Sequence, residues 1–159
     1  MAAEALRFDL CSLNPDKTTL HMNKKLRVLY IDDEQHVLDS TKIMLESFRD
    51  THFEVAVEQD AKQAVPRARE IEPHVVLLDM YMPPSSGAEV AAELRATRGL
   101  EQIPILLYTI SERILTSKEL AMWNGLAGQL PCLMKDSTPI ELKKKLIEVA
   151  RAGGWCGNS

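Results

Sequence analysis

The residues whose types suit chemistry in this chain stand at the ends of apolar runs. Asp32 and Asp33 follow Val28-Leu29-Tyr30-Ile31, and Asp79 follows Val75-Val76-Leu77-Leu78. Thr109 ends Ile105-Leu106-Leu107-Tyr108-Thr109, and Lys135 follows Leu133-Met134. Brought together, three carboxylates repel and raise one another's pKa, so at neutral pH they need counter-charge. Lys135 supplies one positive charge, and a hard, oxygen-seeking divalent cation supplies more. Mg²⁺ is the natural choice, because it takes oxygen ligands from one or two carboxylates together with phosphate oxygens. A phosphoryl group therefore belongs in the picture. A carboxylate placed by metal, ammonium and hydroxyl can act as its nucleophile and become an aspartyl phosphate, and the central Asp79 is the candidate.

Those positions need elements that converge. Leu26–Ile31 reads as a strand, and Gln35–Phe48 carries Val37, Leu38, Ile43, Met44, Leu45 and Phe48 at helical spacing. Phe53–Val57 is the second strand and Ala61–Glu70 the second helix, in which Pro66 must sit in the first turn or bend it. The pattern continues with strand His74–Leu78, helix Gly87–Thr97, strand Pro104–Thr109, helix Glu112–Asn124, strand Gln129–Met134 and helix Pro139–Ala152. Continuously apolar strands alternating with amphipathic helices predict a doubly wound (βα)₅ sandwich around a five-stranded parallel sheet, a flavodoxin-like α/β fold. Ligands of such sheets bind beyond the carboxyl ends of the strands, where all five candidates fall.

The composition agrees with one ordinary domain. The chain has 159 residues, 45% hydrophobic and 26% charged, which excludes disordered and collagen-like classes. Nineteen Lys and Arg against 23 Asp and Glu give a net charge of −4, without the footprint of phosphate-backbone binding, so no nucleic acid partner is expected. The cysteines Cys11, Cys132 and Cys156 are odd in number and show no CxxC or Cys/His metal spacing, so neither a disulfide framework nor zinc is expected. A cytoplasmic location fits that usage. No apolar run is long enough to span a bilayer, and Glu4, Arg7 and Asp9 interrupt any signal peptide. Residues 1–24 read as a poorly ordered extension, with Met22 as an alternative start, followed by a domain over 25–152 and a short tail over 153–159. Gly153, Gly154, Gly157 and Asn158 stop the last helix, and no effector domain is expected to follow.

Each candidate also has an ordinary structural use. Asp33 or Glu34 can cap a helix, Asp79 can form a turn, Thr109 can bond nearby backbone, and Lys135 can be a solvated charge. Four independent turn or capping events have no reason to fall at the ends of strands one, three, four and five with this combination of chemistries.

Over about Lys25–Ala152 the sequence resembles a receiver domain of the two-component response regulators, of the stand-alone chemotaxis type. The resemblance rests on Asp32-Asp33, on Asp79 with Met80-Tyr81-Met82-Pro83-Pro84-Ser85-Ser86-Gly87, on Thr109, and on Lys135 in Leu133-Met134-Lys135. It implies that Asp79 is the phosphoacceptor and that Asp32, Asp33, Asp79 and the backbone carbonyl of Tyr81 hold Mg²⁺. It implies further that Thr109 and Lys135 contact the phosphoryl oxygens. The implied donor is a histidine kinase or phosphotransfer protein. Phosphorylation would draw Thr109 inward and change the face of the fourth helix, fifth strand and fifth helix, where a downstream protein docks. No enzymatic output domain, nucleic acid or membrane is implied, and homodimerisation is left open.

Four departures bear on the switch. Cys132 stands where the family usually has an inward-turning Tyr or Phe. Ile110 follows Thr109 where the family favours a small residue, either shielding an aspartyl phosphate from water or packing on the fourth helix. Asp136 replaces the proline that often follows the lysine, and the 26-position spacing from Thr109 to Lys135 is a little long, which implies a longer fourth helix or loop. His36 and the Lys143-Lys144-Lys145 run read as solvated helix residues, and Met122 and Trp123 as packing or partner contacts. Haloacid-dehalogenase-type phosphatases are a poor match, because the second Asp they need is Tyr81 after Asp79 and Glu34 after Asp32. A phosphorylation-independent interaction module on the same fold is the remaining alternative.

Overall fold

The computed structural model describes residues 24–110 and 130–157. Strands β1 (Leu26–Ile31), β2 (Phe53–Glu58), β3 (Val75–Leu78), β6 (Ile105–Thr109) and β7 (Cys132–Met134) form one sheet in the order β2-β1-β3-β6-β7. All four pairings are parallel. From β1 the chain steps one way to β2 and then reverses to β3, so the switch in strand order lies between β1 and β3. Ligand-binding crevices of open α/β sheets open beyond the carboxyl ends of the strands at that switch.

Alternate side chains explain the two-sided burial. Leu29 and Ile31 of β1 join one core with Ala64 and Ala68 of α2 (Ala64–Ile71) and with Ala88, Val90, Ala91 and Leu94 of α3 (Gly87–Ala96). Leu26, Val28 and Tyr30 join the other, with Leu38 and Leu45 of α1 (Gln35–Glu46) and Leu142, Leu146 and Ile147 of the C-terminal helix (Pro139–Ala152). All four residues of β3 are fully buried, as a central strand covered on both faces must be. These elements form the expected flavodoxin-like sandwich. The expected fourth helix, with Met122 and Trp123, and the extension over residues 1–23 lie outside the described residues.

Several boundaries move for identifiable reasons. Ala61–Gln63 forms a separate 3₁₀ turn capped by Asp60, and Pro66 falls in the first turn of α2, where its missing N–H is tolerated. His74 stays outside β3 but closes the ladder differently. Its N–H goes to the Arg27 carbonyl, and its Nδ1 accepts the Arg27 N–H at 3.0 Å. The strand expected from Gln129 begins only at Cys132, and Pro131, which has no N–H to give, still offers its carbonyl to Leu107. A two-residue antiparallel pair was not expected: β4 (Tyr81–Met82) and β5 (Ser85–Ser86) flank a cis Pro83-Pro84 bond.

Cys132 is free and exposed. One surface expectation is corrected. Lys143 is no solvated charge: it pairs with Asp50 and lies 4.9 Å over the Phe48 ring, tying the C-terminal helix to the end of α1. Its neighbour Lys145 pairs with Glu148, and His36 is exposed as expected. Among the described residues no helix is long and apolar enough to cross a membrane.

Candidate functional site

Strand ends place the carboxylates. Asp32 and Asp33 come directly after β1, and Asp79 directly after β3, its neighbour in the sheet. The Asp32 N–H goes to the Glu58 carbonyl and the Asp79 N–H to the Ile31 carbonyl, which holds both backbones at the switch point. One carboxylate oxygen from each of Asp32, Asp33 and Asp79 lies within 4.8 Å of the others. Asp32 is fully buried, Asp79 nearly so, and Asp33 is partly exposed.

Lys135 follows β7, and its N–H bonds the Thr109 carbonyl at 2.9 Å. Its side chain crosses towards the middle of the sheet, with Nζ 2.6 Å from Asp32 Oδ2 and 3.4 Å from Asp79 Oδ2. Thr109 ends β6, in register with Met134 and two residues past the level of Leu78. It stands partly exposed at the rim, followed by the exposed Ile110. Tyr81 opens β4 two residues after Asp79, with its backbone paired to Ser86 and its side chain exposed.

The capping readings are resolved differently from either expectation. Glu34 occupies the N-cap position of α1 without a side-chain cap, and it is Asp32 Oδ1 that accepts the Glu34 N–H at 3.0 Å. Asp79 Oδ1 accepts the N–H of Met80 at 2.8 Å, leaving Oδ2 towards Lys135.

Two residues essential to this geometry were not singled out by sequence reasoning. The hydroxyl of fully buried Tyr30 donates to Asp32 Oδ2 at 2.6 Å. The available signal was the period of two, which puts Tyr30 on the same strand face as Asp32, and the need of a buried phenol for a partner. The second is Gly87, whose N–H bonds the Met80 carbonyl while a Cβ there would lie 2.2 Å from the Asp79 carbonyl oxygen. That close approach requires glycine. Ser86 fixes the same loop through a capping box with Glu89 at the start of α3.

The electrostatics follow from burial. Burial pushes the Asp79 carboxyl up to about 6, with Lys135 opposing the shift and the Asp32 charge adding to it. Burial pulls the Lys135 ammonium down, but its hydrogen bond to Asp32 and the charges of Asp79 and Asp32 outweigh that, and its pKa is raised. Burial, then the Asp32 charge, holds the Tyr30 phenol far above its ordinary value, so it remains a neutral donor. Three carboxylates against one ammonium leave the pocket short of positive charge, and every candidate ligand atom is a hard oxygen. That donor set fits a divalent cation such as Mg²⁺ better than a soft metal, which would want sulfur or imidazole.

Comparison with known proteins gives the family. The family model of the response regulator receiver domain matches residues 28–147. The transcriptional regulatory protein MctR of Rhizobium johnstonii is 32% identical over 132 residues, which cover 82% of this chain and 58% of that protein. The DNA-binding response regulator MtrA of Mycolicibacterium smegmatis is 36% identical over 83 residues, covering 52% of this chain and 34% of the relative. The chain thus spans only part of the length of the curated relatives it matches. Among solved structures, chemotaxis protein CheY4 of Vibrio cholerae superposes with a TM-score of 0.65 at 23% identity, covering 79% of this chain and 98% of that one. A response regulator from Chloroflexus aurantiacus gives 0.66 at 22%, covering 80% and 99%. With the fold, the strand-end carboxylates and the family match in agreement, this chain belongs to the response regulator receiver domains of two-component systems.

Proposed function

We propose that Asp79 accepts a phosphoryl group from a histidine kinase or phosphotransfer protein and that the acylphosphate alters the face on which a downstream protein docks. The observation that carries this reading is the buried Asp79 carboxylate, set beside Asp32 and Asp33 with Lys135 Nζ 3.4 Å from its Oδ2. In the reaction one Asp79 oxygen attacks phosphorus, the O–P bond forms as the P–N bond to the donor imidazole breaks, and the imidazole leaves with that electron pair. Asp32, Asp33, Asp79 and the Tyr81 carbonyl would hold Mg²⁺, which when bound offsets charge on the carboxylates and on phosphoryl oxygens. Lys135 turns part of its charge from Asp32 to the new phosphoryl group, and the Thr109 hydroxyl donates to it from the rim. No separate catalytic output is assigned to this chain.

Among the described residues the responding surface is formed by β7 and the C-terminal helix, and the expected fourth helix between β6 and β7 lies outside them. With Cys132 exposed on the edge strand in place of a bulky aromatic, Thr109 carries the response with smaller repacking. The same substitution favours a second reading, a receiver fold that binds its partner regardless of phosphorylation. Backbone amide spectra separate the two. With Mg²⁺ and acetyl phosphate, shifts across residues 109–110 and 132–150 in the wild type but not in Asp79→Asn support the switch, and unchanged spectra support the phosphorylation-independent module.

A further inference from the structure

Asp32 is fully buried, and its Oδ2 accepts two donors at once, Tyr30 Oη and Lys135 Nζ, each at 2.6 Å. Among the described residues its Oδ1 accepts the Glu34 N–H alone. A buried carboxylate oxygen left without any donor is costly. Lys135 is also the ammonium nearest Asp79, so its charge is wanted at two carboxylates. We propose that Tyr30 is a positioning residue of the pocket, its buried hydroxyl keeping Asp32 Oδ2 satisfied, alongside any metal on the carboxylates, when Lys135 turns to a phosphoryl group on Asp79.

Tyr30 is built for that task. Its ring is fixed in the core between the sheet and α1, in an edge-to-face contact with Tyr108 at 6.1 Å. No rotation is therefore needed for the hydroxyl to meet the carboxylate two residues further along the same strand face. A donor bond to an anion also competes with any cation for the same charge, so the phenol lowers the attraction of Asp32 for Lys135 and for a metal alike. Removing it strengthens both.

This inference rests on the reading of Asp79 as phosphoacceptor, but one of its two readouts does not. Tyr30→Phe keeps the ring and its packing, and Mg²⁺ binding to the unphosphorylated protein is measured by calorimetry. The dissociation constant is expected to fall about fivefold, because the cation then meets a less satisfied carboxylate. The rate of phosphorylation by acetyl phosphate at saturating Mg²⁺ is expected to fall about tenfold, because Lys135 is held more firmly by Asp32. Tighter metal with slower phosphorylation is the signature. A variant unchanged in both overturns the proposal, and so does one weakened in both, which reports only a loosened pocket. If the wild type binds Mg²⁺ but forms no adduct, the phosphoacceptor reading fails, and unchanged Mg²⁺ affinity in the variant overturns the role of Tyr30 on its own evidence.

Discussion

At Asp32 three donors meet one buried carboxylate, whereas at Asp79 the Met80 N–H and a more distant Lys135 are the partners. Lys135 therefore rests mainly on Asp32, and Asp79, the less satisfied of the two, has the capacity to take a new group. Ile110 stands exposed immediately beyond Thr109, where a bulky side chain over the pocket would shield an aspartyl phosphate from water. Ile110→Ala is expected to speed aspartyl-phosphate hydrolysis about threefold, a change of roughly 0.6 kcal/mol in the barrier. Loss of radiolabelled phosphate over time checks this, and an unchanged half-life would return Ile110 to simple packing. The acids, Thr109 and Lys135 were legible in the sequence because their chemistry is conspicuous at the ends of apolar runs. Tyr30 was not, since a phenol inside Val28-Leu29-Tyr30-Ile31 reads as core until its partner is seen two residues on.

Elements hold these residues through a few close approaches. Gly87 lets α3 begin against the loop that follows Asp79, and Gly87→Ala would drive a Cβ into the Asp79 carbonyl. The variant is expected to lose about 3 kcal/mol in urea unfolding and to bind Mg²⁺ more weakly as the loop is pushed away. At the opposite end of the sheet, His74 Nδ1 must be unprotonated to accept the Arg27 N–H. Burial, with the charges of Arg27 and Lys24 adding to it, lowers its pKa below the ordinary imidazole value. Stability from this contact is present above the unfolded-state pKa, about 6.5, and is lost as pH falls through the lower folded one. His74→Asn keeps an acceptor in place of Nδ1 but cannot titrate. Its urea midpoint is expected to fall less than that of the wild type between pH 7 and pH 5, and equal losses would assign the pH dependence elsewhere. Continuous apolar strands and helical spacing made most elements legible, including the C-terminal helix, whose Thr138 capping box the structure adds. The β4/β5 pair was hidden because two prolines read only as a break, and the Lys143 clip because a lysine run gives no sign of the Asp50 and Phe48 it meets.

In the whole molecule, two cores clamp one parallel sheet and leave its carboxyl edge as the place where charge can be added. The reversal between β1 and β3 puts Asp32 and Asp79 side by side, while Lys135 reaches them from the edge strand. On the proposed reading a charge change at the centre of the sheet reaches its β7 margin through Lys135, next to the C-terminal helix. On that reading Asp79 takes up a phosphoryl group in a metal-dependent manner. Intact-mass spectrometry after incubation with acetyl phosphate and Mg²⁺ tests it most directly, with Asp79→Asn and an EDTA-treated sample alongside. A single phosphoryl adduct is expected on the wild type and none on either control. An adduct that survives in Asp79→Asn, or none on a folded wild type kept under conditions that preserve acylphosphates, would contradict it.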